Sequence, residues 1–281
     1  MSLALKYYIR ALRLPFITAS LLPFISGSLA ARGDFNLLGF CLGLICVMFT
    51  HLSANLINDH ADSKSGADWQ ERAFWGFFGG SKLIQENVLP EAAYIKAAVF
   101  FACAGTVCAA LISALLRTLL PLSLYAIILA LAWLYSRRPL QFSYNRLGEL
   151  IVFILFGPVP VMGGYFIQTH CFPSFKSFLL SLPFGFLTTA ILFANEVPDF
   201  KNDAAVKKIN WVSLTGPFII IDEEAAHIRI QAVYLLVEEF EVPRQCLRRA
   251  AAKLSLIFDL RAPFPQVHLF RKPDNGLYRA V

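Results

Sequence analysis

The first chemically suggestive stretch of this sequence combines two carboxamides with two carboxylates. Asn58, Asp59 and Asp62 follow Asn55 at spacings of three, four and seven residues, which places all four on one face of an α-helix. Carboxylate and amide oxygens are hard ligands that suit Mg²⁺, which also binds waters and substrate phosphates. The spacing therefore predicts an oxygen-rich metal face at the end of a helix.

A second stretch repeats this chemistry near residue 200. Asn195, Asp199 and Asp203 follow one another at intervals of four, so they also lie along a common helical face. Either cluster alone would be compatible with a solvated helix end. Two matched clusters at the ends of apolar helices bring like charges together, and like charges need a cation. We therefore predict a paired magnesium site.

The elements that position these motifs are apolar. The sequence is 57% apolar and 16% charged, a composition typical of membrane proteins. Six apolar blocks are about long enough to cross a hydrocarbon core as helices. They cover residues 14–31, 37–57, 97–115, 119–135, 149–168 and 178–197. We predict an all-α, multi-pass transmembrane bundle that carries both motifs at one membrane face.

The distribution of Lys and Arg predicts the orientation of this bundle. With the N-terminus in the cytoplasm, most basic residues are cytoplasmic, and only Arg32, Arg117 and Lys176 fall outside. The chain is then a multi-pass protein of the inner (cytoplasmic) membrane with both motifs on the cytoplasmic side. The net charge of +6 indicates contact with anionic membrane lipid and not with nucleic acid, because no basic stripe is interleaved with aromatic residues.

Several residues near the motifs are candidates for binding phosphate oxygens. The basic candidates are Arg72, Lys82, Arg137, Arg138 and Lys208. Positive-inside topology alone would place some of them here, so both interpretations stay open. Tyr135, at a predicted cytoplasmic helix end, fits two roles: stabilising a cation with its ring or belonging to the interfacial aromatic belt.

The motifs together resemble the UbiA superfamily of prenyltransferases, and within it the MenA-like branch. The two Asp-rich stretches carry the resemblance together with Gly79-Gly80-Ser81-Lys82, Tyr135-Ser-Arg-Arg-Pro139-Leu, Gly148-Glu149 and Gly157-Pro158. The resemblance implies a magnesium-dependent enzyme that moves a polyprenyl group from its diphosphate to an aromatic acceptor. In the MenA-like branch that acceptor is 1,4-dihydroxy-2-naphthoate, a precursor of menaquinone.

The resemblance also implies roles for individual residues. The expected metal ligands are Asn55, Asp59, Asp62, Asn195, Asp199 and Asp203. Catalysis is expected of Asp59, Asp62, Asp199, Asp203 and Tyr135, and substrate binding of Asn58, Arg72, Lys82, Arg137, Arg138 and Lys208. The bound metal would neutralise the leaving diphosphate as an allylic cation forms.

The predicted organisation has two parts. Residues 1–217 form the UbiA-like core, and residues 218–281 form a charged tail where family members have three further membrane helices. A truncated or frame-shifted coding sequence would give such a tail, and so would a divergent domain. Two alternatives to an active enzyme remain: an inactive fragment of one, and a membrane transporter, which would carry ionisable groups near the bilayer midplane.

Overall fold

A computed structural model describes residues 3–66, 69 and 80–215, with the backbone alone described at residues 3–5, 198–202 and 215. These ranges contain nine α-helices and no β-strand, which confirms the all-α prediction. The helices are α1 (Leu3–Leu12), α2 (Thr18–Leu29), α3 (Leu37–Ser65), α4 (Glu91–Leu116), α5 (Leu120–Leu134), α6 (Gly148–Phe156), α7 (Pro158–Thr169), α8 (Phe175–Ala205) and α9 (Trp211–Thr215). The predicted tail at 218–281 lies outside the described residues.

Five helical stretches in the described ranges are long and apolar enough to cross a membrane: Lys6–Leu29, Leu37–Ser65, Glu91–Leu116, Gly148–Thr169 and Phe175–Val197. The sixth predicted crossing forms the 15-residue helix α5. At 1.5 Å per residue, α5 extends about 22 Å, less than a hydrocarbon core of roughly 30 Å. Arg117, where φ is +51°, ends α4, and α5 begins at Leu120 and ends at Leu134, within the predicted block. The prediction of six full-length crossings is corrected to five and one shorter helix.

Capping residues fix the ends of the two helices that carry the motifs. The Asn36 side chain accepts a hydrogen bond from the Gly39 amide (2.8 Å) at the start of α3, and Gly66 ends that helix with φ at +91°. Ser174 caps the start of α8 by accepting from the Ser177 amide (3.4 Å). Both motifs consequently occupy the last turns of long helices.

Glycines let α2 and α7 pack backbone against backbone. A Cβ added at Gly164 on α7 would collide with the Phe24 carbonyl oxygen of α2 and would lie 2.7 Å from the Ser28 hydroxyl. Gly27 on α2 has the same relation to the backbone of Val161 on α7. Small residues that allow such close approach are typical of helix contacts in membranes.

We expect Gly164→Ala to destabilise the bundle, because its methyl group must displace backbone atoms of α2. Overpacking of this kind costs about 1–3 kcal/mol. Thermal unfolding of the purified chain in detergent, followed by circular dichroism, measures the effect. Gly163→Ala is the matched control, since a Cβ there meets nothing within 4 Å. Equal unfolding midpoints for the two variants would contradict this packing.

Candidate active site

Asp59, on the first motif, is held by two segments distant from it in sequence. Its side chain is 3% exposed and accepts a hydrogen bond at Oδ2 from the Ser81 backbone amide (2.9 Å). The Arg13 guanidinium, from the turn between α1 and α2, lies 3.7 Å from Oδ1. The buried carboxylate is thereby fixed in position and faces a positive charge.

Asp62, one turn later, belongs to a network of neutral donors. The Asn58 amide donates to its Oδ2 (3.1 Å), and the Tyr144 hydroxyl lies 3.4 Å from its Oδ1. The Ser136 hydroxyl in turn donates to the side-chain oxygen Oδ1 of Asn58. Asn58 therefore orients Asp62 and ties α3 to the segment after α5.

The turn that follows α8 contacts the end of the second motif. The Asp203 side chain is 3% exposed, and its Oδ2 accepts from the Asn210 amide (3.0 Å). The backbone amide of Lys208 donates to the Asp203 carbonyl oxygen (2.9 Å), which folds the chain back towards α8. Asn195 is half-buried on the same helix, while the Asp199 side chain lies outside the described residues.

Lys208 brings the two motifs together electrostatically. Its Nζ lies 3.3 Å from Asp203 Oδ1 and 5.8 Å from the centre of the Tyr144 ring. Burial lowers the pKa of Lys208, but the carboxylates of Asp62 and Asp203 outweigh it and hold this pKa above its ordinary value. The lysine therefore stays charged, and one cation interacts with carboxylates from both α3 and α8.

Two tyrosines border this cation. Burial raises the pKa of Tyr135 and of Tyr144, so both hydroxyl groups stay protonated and neutral at physiological pH. Tyr135 follows the end of α5 and interacts with the charge of Lys208. Its predicted place beside the motifs agrees with this position, and both of its proposed roles remain predictions.

The other predicted phosphate-binding residues occupy three kinds of position. Lys82 is 4% exposed and directly follows Ser81, whose backbone amide donates a hydrogen bond to Asp59. Arg137 is half-buried and Arg138 is exposed, both in the loop after α5. Arg72 lies outside the described residues. The structure thus brings Lys208 into contact with a motif, and phosphate binding by all five basic residues stays a prediction.

The site contains residues that sequence reasoning missed as functional. They are Arg13, Tyr144 and Asn210, together with Ser81, which the sequence offered only as part of the Gly79-Gly80-Ser81-Lys82 stretch. Arg13 and Asp59 are far apart in the chain, and no periodicity links them. The basic charge of Arg13 just before an apolar block was the one available signal.

The donor chemistry of the two motifs fits a hard divalent cation. Asp59, Asp62 and Asp203 supply carboxylate oxygens, and the Lys208 ammonium already places a positive charge between Asp62 and Asp203. The described side chains contain no group of three His, Cys, Asp or Glu residues gathered as a metal site. A metal held here would therefore draw its remaining ligands from amides, water or a substrate phosphate.

An apolar cavity of about 430 Å³ begins one turn from Asp59. Its lining on α3 runs from Gly43 to Asn55, about 18 Å of helix. Phe24 and Phe166 line it further along the bundle, and Phe172 lies beyond the end of α7. The carboxylate site thus lies at one end of a long hydrophobic cavity.

The site thus combines a carboxylate-rich polar end with an apolar cavity in a helical bundle. The UbiA prenyltransferase family model matches residues 20–235, and the chain belongs to this family. The matched range extends past Pro217.

Individual relatives carry the same family name. The chain is 30% identical over 219 residues to the human "UbiA prenyltransferase domain-containing protein 1", with 75% of this chain and 61% of that protein covered. The Xenopus tropicalis protein of that name is 28% identical over 217 residues, covering 75% and 60%. The Drosophila melanogaster homolog is 30% identical over 232 residues, covering 80% and 60%. The chain therefore spans about three fifths of the length of these relatives.

Two solved structures share the fold. A UbiA homolog from Archaeoglobus fulgidus bound to GPP and Mg²⁺ superposes with a TM-score of 0.60 at 15% identity, covering 95% of this chain and 91% of that chain. The same homolog bound to DMAPP and Mg²⁺ gives 0.57 at 14% identity, covering 89% and 85%. At these identities the likeness establishes the helical architecture.

Proposed function

We propose that this chain transfers a polyprenyl group from its diphosphate to an aromatic acceptor in a magnesium-dependent reaction. One observation carries the proposal: carboxylates from both motifs, Asp62 and Asp203, interact with the single ammonium group of Lys208 at the end of a hydrophobic cavity. The cavity suits a hydrocarbon tail, and the polar end suits a metal-bound diphosphate. Binding of DMAPP, GPP and Mg²⁺ by the archaeal homolog supports this assignment.

The residues of both motifs would hold the metal. Asp59, Asp62, Asp199 and Asp203 are the proposed charged ligands, with Asn55 and Asn195 as amide ligands. Mg²⁺ would supply the positive charge that stabilises the departing diphosphate. The buried amide nitrogen of Asn55 has no hydrogen-bond partner among the described residues and is available to donate to a substrate oxygen.

The chain's own side chains would assist bond breaking. The allylic carbon–oxygen bond breaks, and its electron pair leaves with the diphosphate. Lys208 would hold a diphosphate oxygen, together with those of Arg72, Lys82, Arg137 and Arg138 that reach it. Tyr135, neutral and next to the site, would face the allylic cation with its ring. A carbon of the acceptor ring then forms the new bond, and the ring loses its proton or carboxylate.

For the acceptor we propose an electron-rich phenolic acid, with 1,4-dihydroxy-2-naphthoate as the first compound to test and menaquinone synthesis as its setting. The MenA-like motifs of the sequence support this choice. The relatives' names specify prenyl transfer without an acceptor.

The activity test uses the purified full-length chain in lipid nanodiscs with a tritiated polyprenyl diphosphate and a panel of hydroxylated aromatic acids. We expect a prenylated product with 1,4-dihydroxy-2-naphthoate in Mg²⁺, none in EDTA, and recovery when Mg²⁺ is restored. Product formation at the same rate in EDTA would contradict metal dependence. Absence of product with every acceptor would contradict the enzyme assignment.

We further propose a multi-pass position in the cytoplasmic membrane with the N-terminus and both motifs in the cytoplasm. Single cysteines introduced at the exposed positions Arg138 and Lys207 should be protected from an impermeant thiol reagent in intact cells. A cysteine at the exposed Asp34, in the loop at the opposite end of α3, should react. All three variants are made in a background that lacks the native cysteines. The reverse labelling pattern would show that the orientation is opposite to the one proposed.

A further inference from the structure

A buried polar pair interrupts the apolar lining of the cavity. The Ser20 hydroxyl of α2 lies 2.7 Å from Nδ1 of His51 on α3, and each side chain is 6% exposed. Both residues line the cavity. His51 Nε2 is buried and has no hydrogen-bond partner among the described residues.

The pairing couples the position of the proton on the neutral His51 ring to the direction of its hydrogen bond with Ser20. Within the described part of the chain, the hydrogen bond to Nδ1 is the one that the Ser20 hydroxyl makes. If the hydroxyl donates, Nδ1 accepts and the proton resides on Nε2. His51 then holds an N–H donor that no group among the described residues satisfies, a state that favours a ligand oxygen able to accept it.

His51 lies in the part of the cavity next to the proposed reaction centre. It precedes Asn55 by one helical turn and Asp59 by two, so it lies about 12 Å from Asp59 along the axis of α3. The ring of Phe156 packs edge-on against His51, with the ring centres 5.7 Å apart, and also lines the cavity. An aromatic ring bound here would meet an apolar wall on one side and a hydrogen-bond donor on the other.

We propose that His51, oriented by Ser20, binds an oxygen of the aromatic acceptor and thereby selects acceptors with a second oxygen across the ring. This inference rests on the proposed prenyl transfer. Of the two substrates, the prenyl chain is a hydrocarbon beyond its diphosphate and cannot accept a hydrogen bond. The acceptor is therefore the substrate that can satisfy Nε2. Because Nε2 is covered, binding must displace a lining side chain such as Phe156.

The test compares two acceptors that differ by one hydroxyl, 1,4-dihydroxy-2-naphthoate and 1-hydroxy-2-naphthoate. Their binding to the purified full-length chain in nanodiscs is measured by ligand fluorescence without prenyl diphosphate. We expect His51→Leu to weaken binding of the dihydroxy compound about tenfold and to leave the monohydroxy compound unchanged. In turnover assays the KM for prenyl diphosphate should not change.

Further variants separate hydrogen bonding from packing. His51→Gln keeps a donor and should retain part of the preference, and Ser20→Ala should lose part of it. Thr50→Val is the matched control, because Thr50 also lines the cavity but donates to the Cys46 carbonyl oxygen of its own helix (2.7 Å). Should His51→Leu fail to give a monodisperse protein, His51→Gln and Ser20→Ala decide the question.

The outcomes distinguish this inference from the proposed function. Equal effects of His51→Leu on both acceptors, no effect on either, or failure of the wild type to bind either compound would overturn it. Prenyl transfer by the wild type with no influence of His51 would remove the inference and leave the function standing. Selective, His51-dependent binding without any transfer would support the inference and contradict the proposed function.

Discussion

Replacing Asp59 or Asp203 by Asn is expected to reduce magnesium-dependent prenyl transfer by about a thousandfold. Each substitution keeps the size of the side chain and removes one negative charge from the proposed metal site. Both carboxylates are almost fully buried, so solvent has little access to the site and cannot easily compensate for the lost negative charge. Initial rates with tritiated polyprenyl diphosphate at saturating acceptor measure the effect.

The matched control is Asp34→Asn, which removes an exposed carboxylate at the opposite end of α3. We expect its rate to stay within about twofold of the wild type, since surface charges far from a site contribute little. If Asp59→Asn and Asp203→Asn also turned over at nearly the wild-type rate, these carboxylates would have no part in the mechanism.

Lys208→Gln is expected to lower kcat/KM for the prenyl diphosphate by about a hundredfold, because removing one partner of a buried ionic group leaves the other uncompensated. The ammonium interacts with Asp62 and Asp203, and Gln cannot supply that charge. Loss of a diphosphate contact should appear mainly as a higher KM. Steady-state kinetics with varied prenyl diphosphate measure both parameters.

The adjacent Lys207 provides a control with the same charge change. Its side chain is exposed, whereas Lys208 is largely buried between the motifs. Lys207→Gln should therefore change kcat/KM by less than about twofold. Equal losses in the two variants would show that general charge near the membrane face, and not the specific position of Lys208, matters.

Local patterns in the sequence predicted the parts of this structure that depend on neighbouring residues. The all-helical class follows from long apolar blocks, and the position of the motifs at helix ends follows from the charged residues that terminate those blocks. The length of α5 could not be predicted in the same way. Hydropathy marks where apolar residues lie, but it does not fix the helix ends, and α5 begins at Leu120 and ends at Leu134 inside the apolar block.

The contacts that complete the site depend on tertiary structure. Arg13 and Ser81 reach Asp59 because the N-terminal turn and the segment before α4 both fold over the end of α3. Tyr144 reaches Asp62 from the loop after α5. Helical periodicity describes one face of one helix and carries no information on which distant loop will cover it. Asp203 was predicted from its helical spacing with Asn195 and Asp199, and Lys208 from its position a few residues beyond Asp203.

The cavity shows the same limit. Its walls come from several helices, and His51 on α3 belongs to no spacing motif that would separate it from a packing residue. Only the joint position of α2 and α3 places Ser20 against His51. Pairings of this kind emerge from helix packing and were beyond the reach of the sequence patterns.

The central claim is that the motifs on α3 and α8 form one magnesium-dependent diphosphate site. Equilibrium binding of a tritiated prenyl thiodiphosphate, which resists turnover, to the wild type, Asp59→Asn, Asp203→Asn and the double variant tests it most directly. We predict binding in Mg²⁺ that is lost in EDTA, a similar loss in each single variant, and little further loss in the double variant. Binding that persists in EDTA, or that survives alteration of either motif, would contradict a shared site.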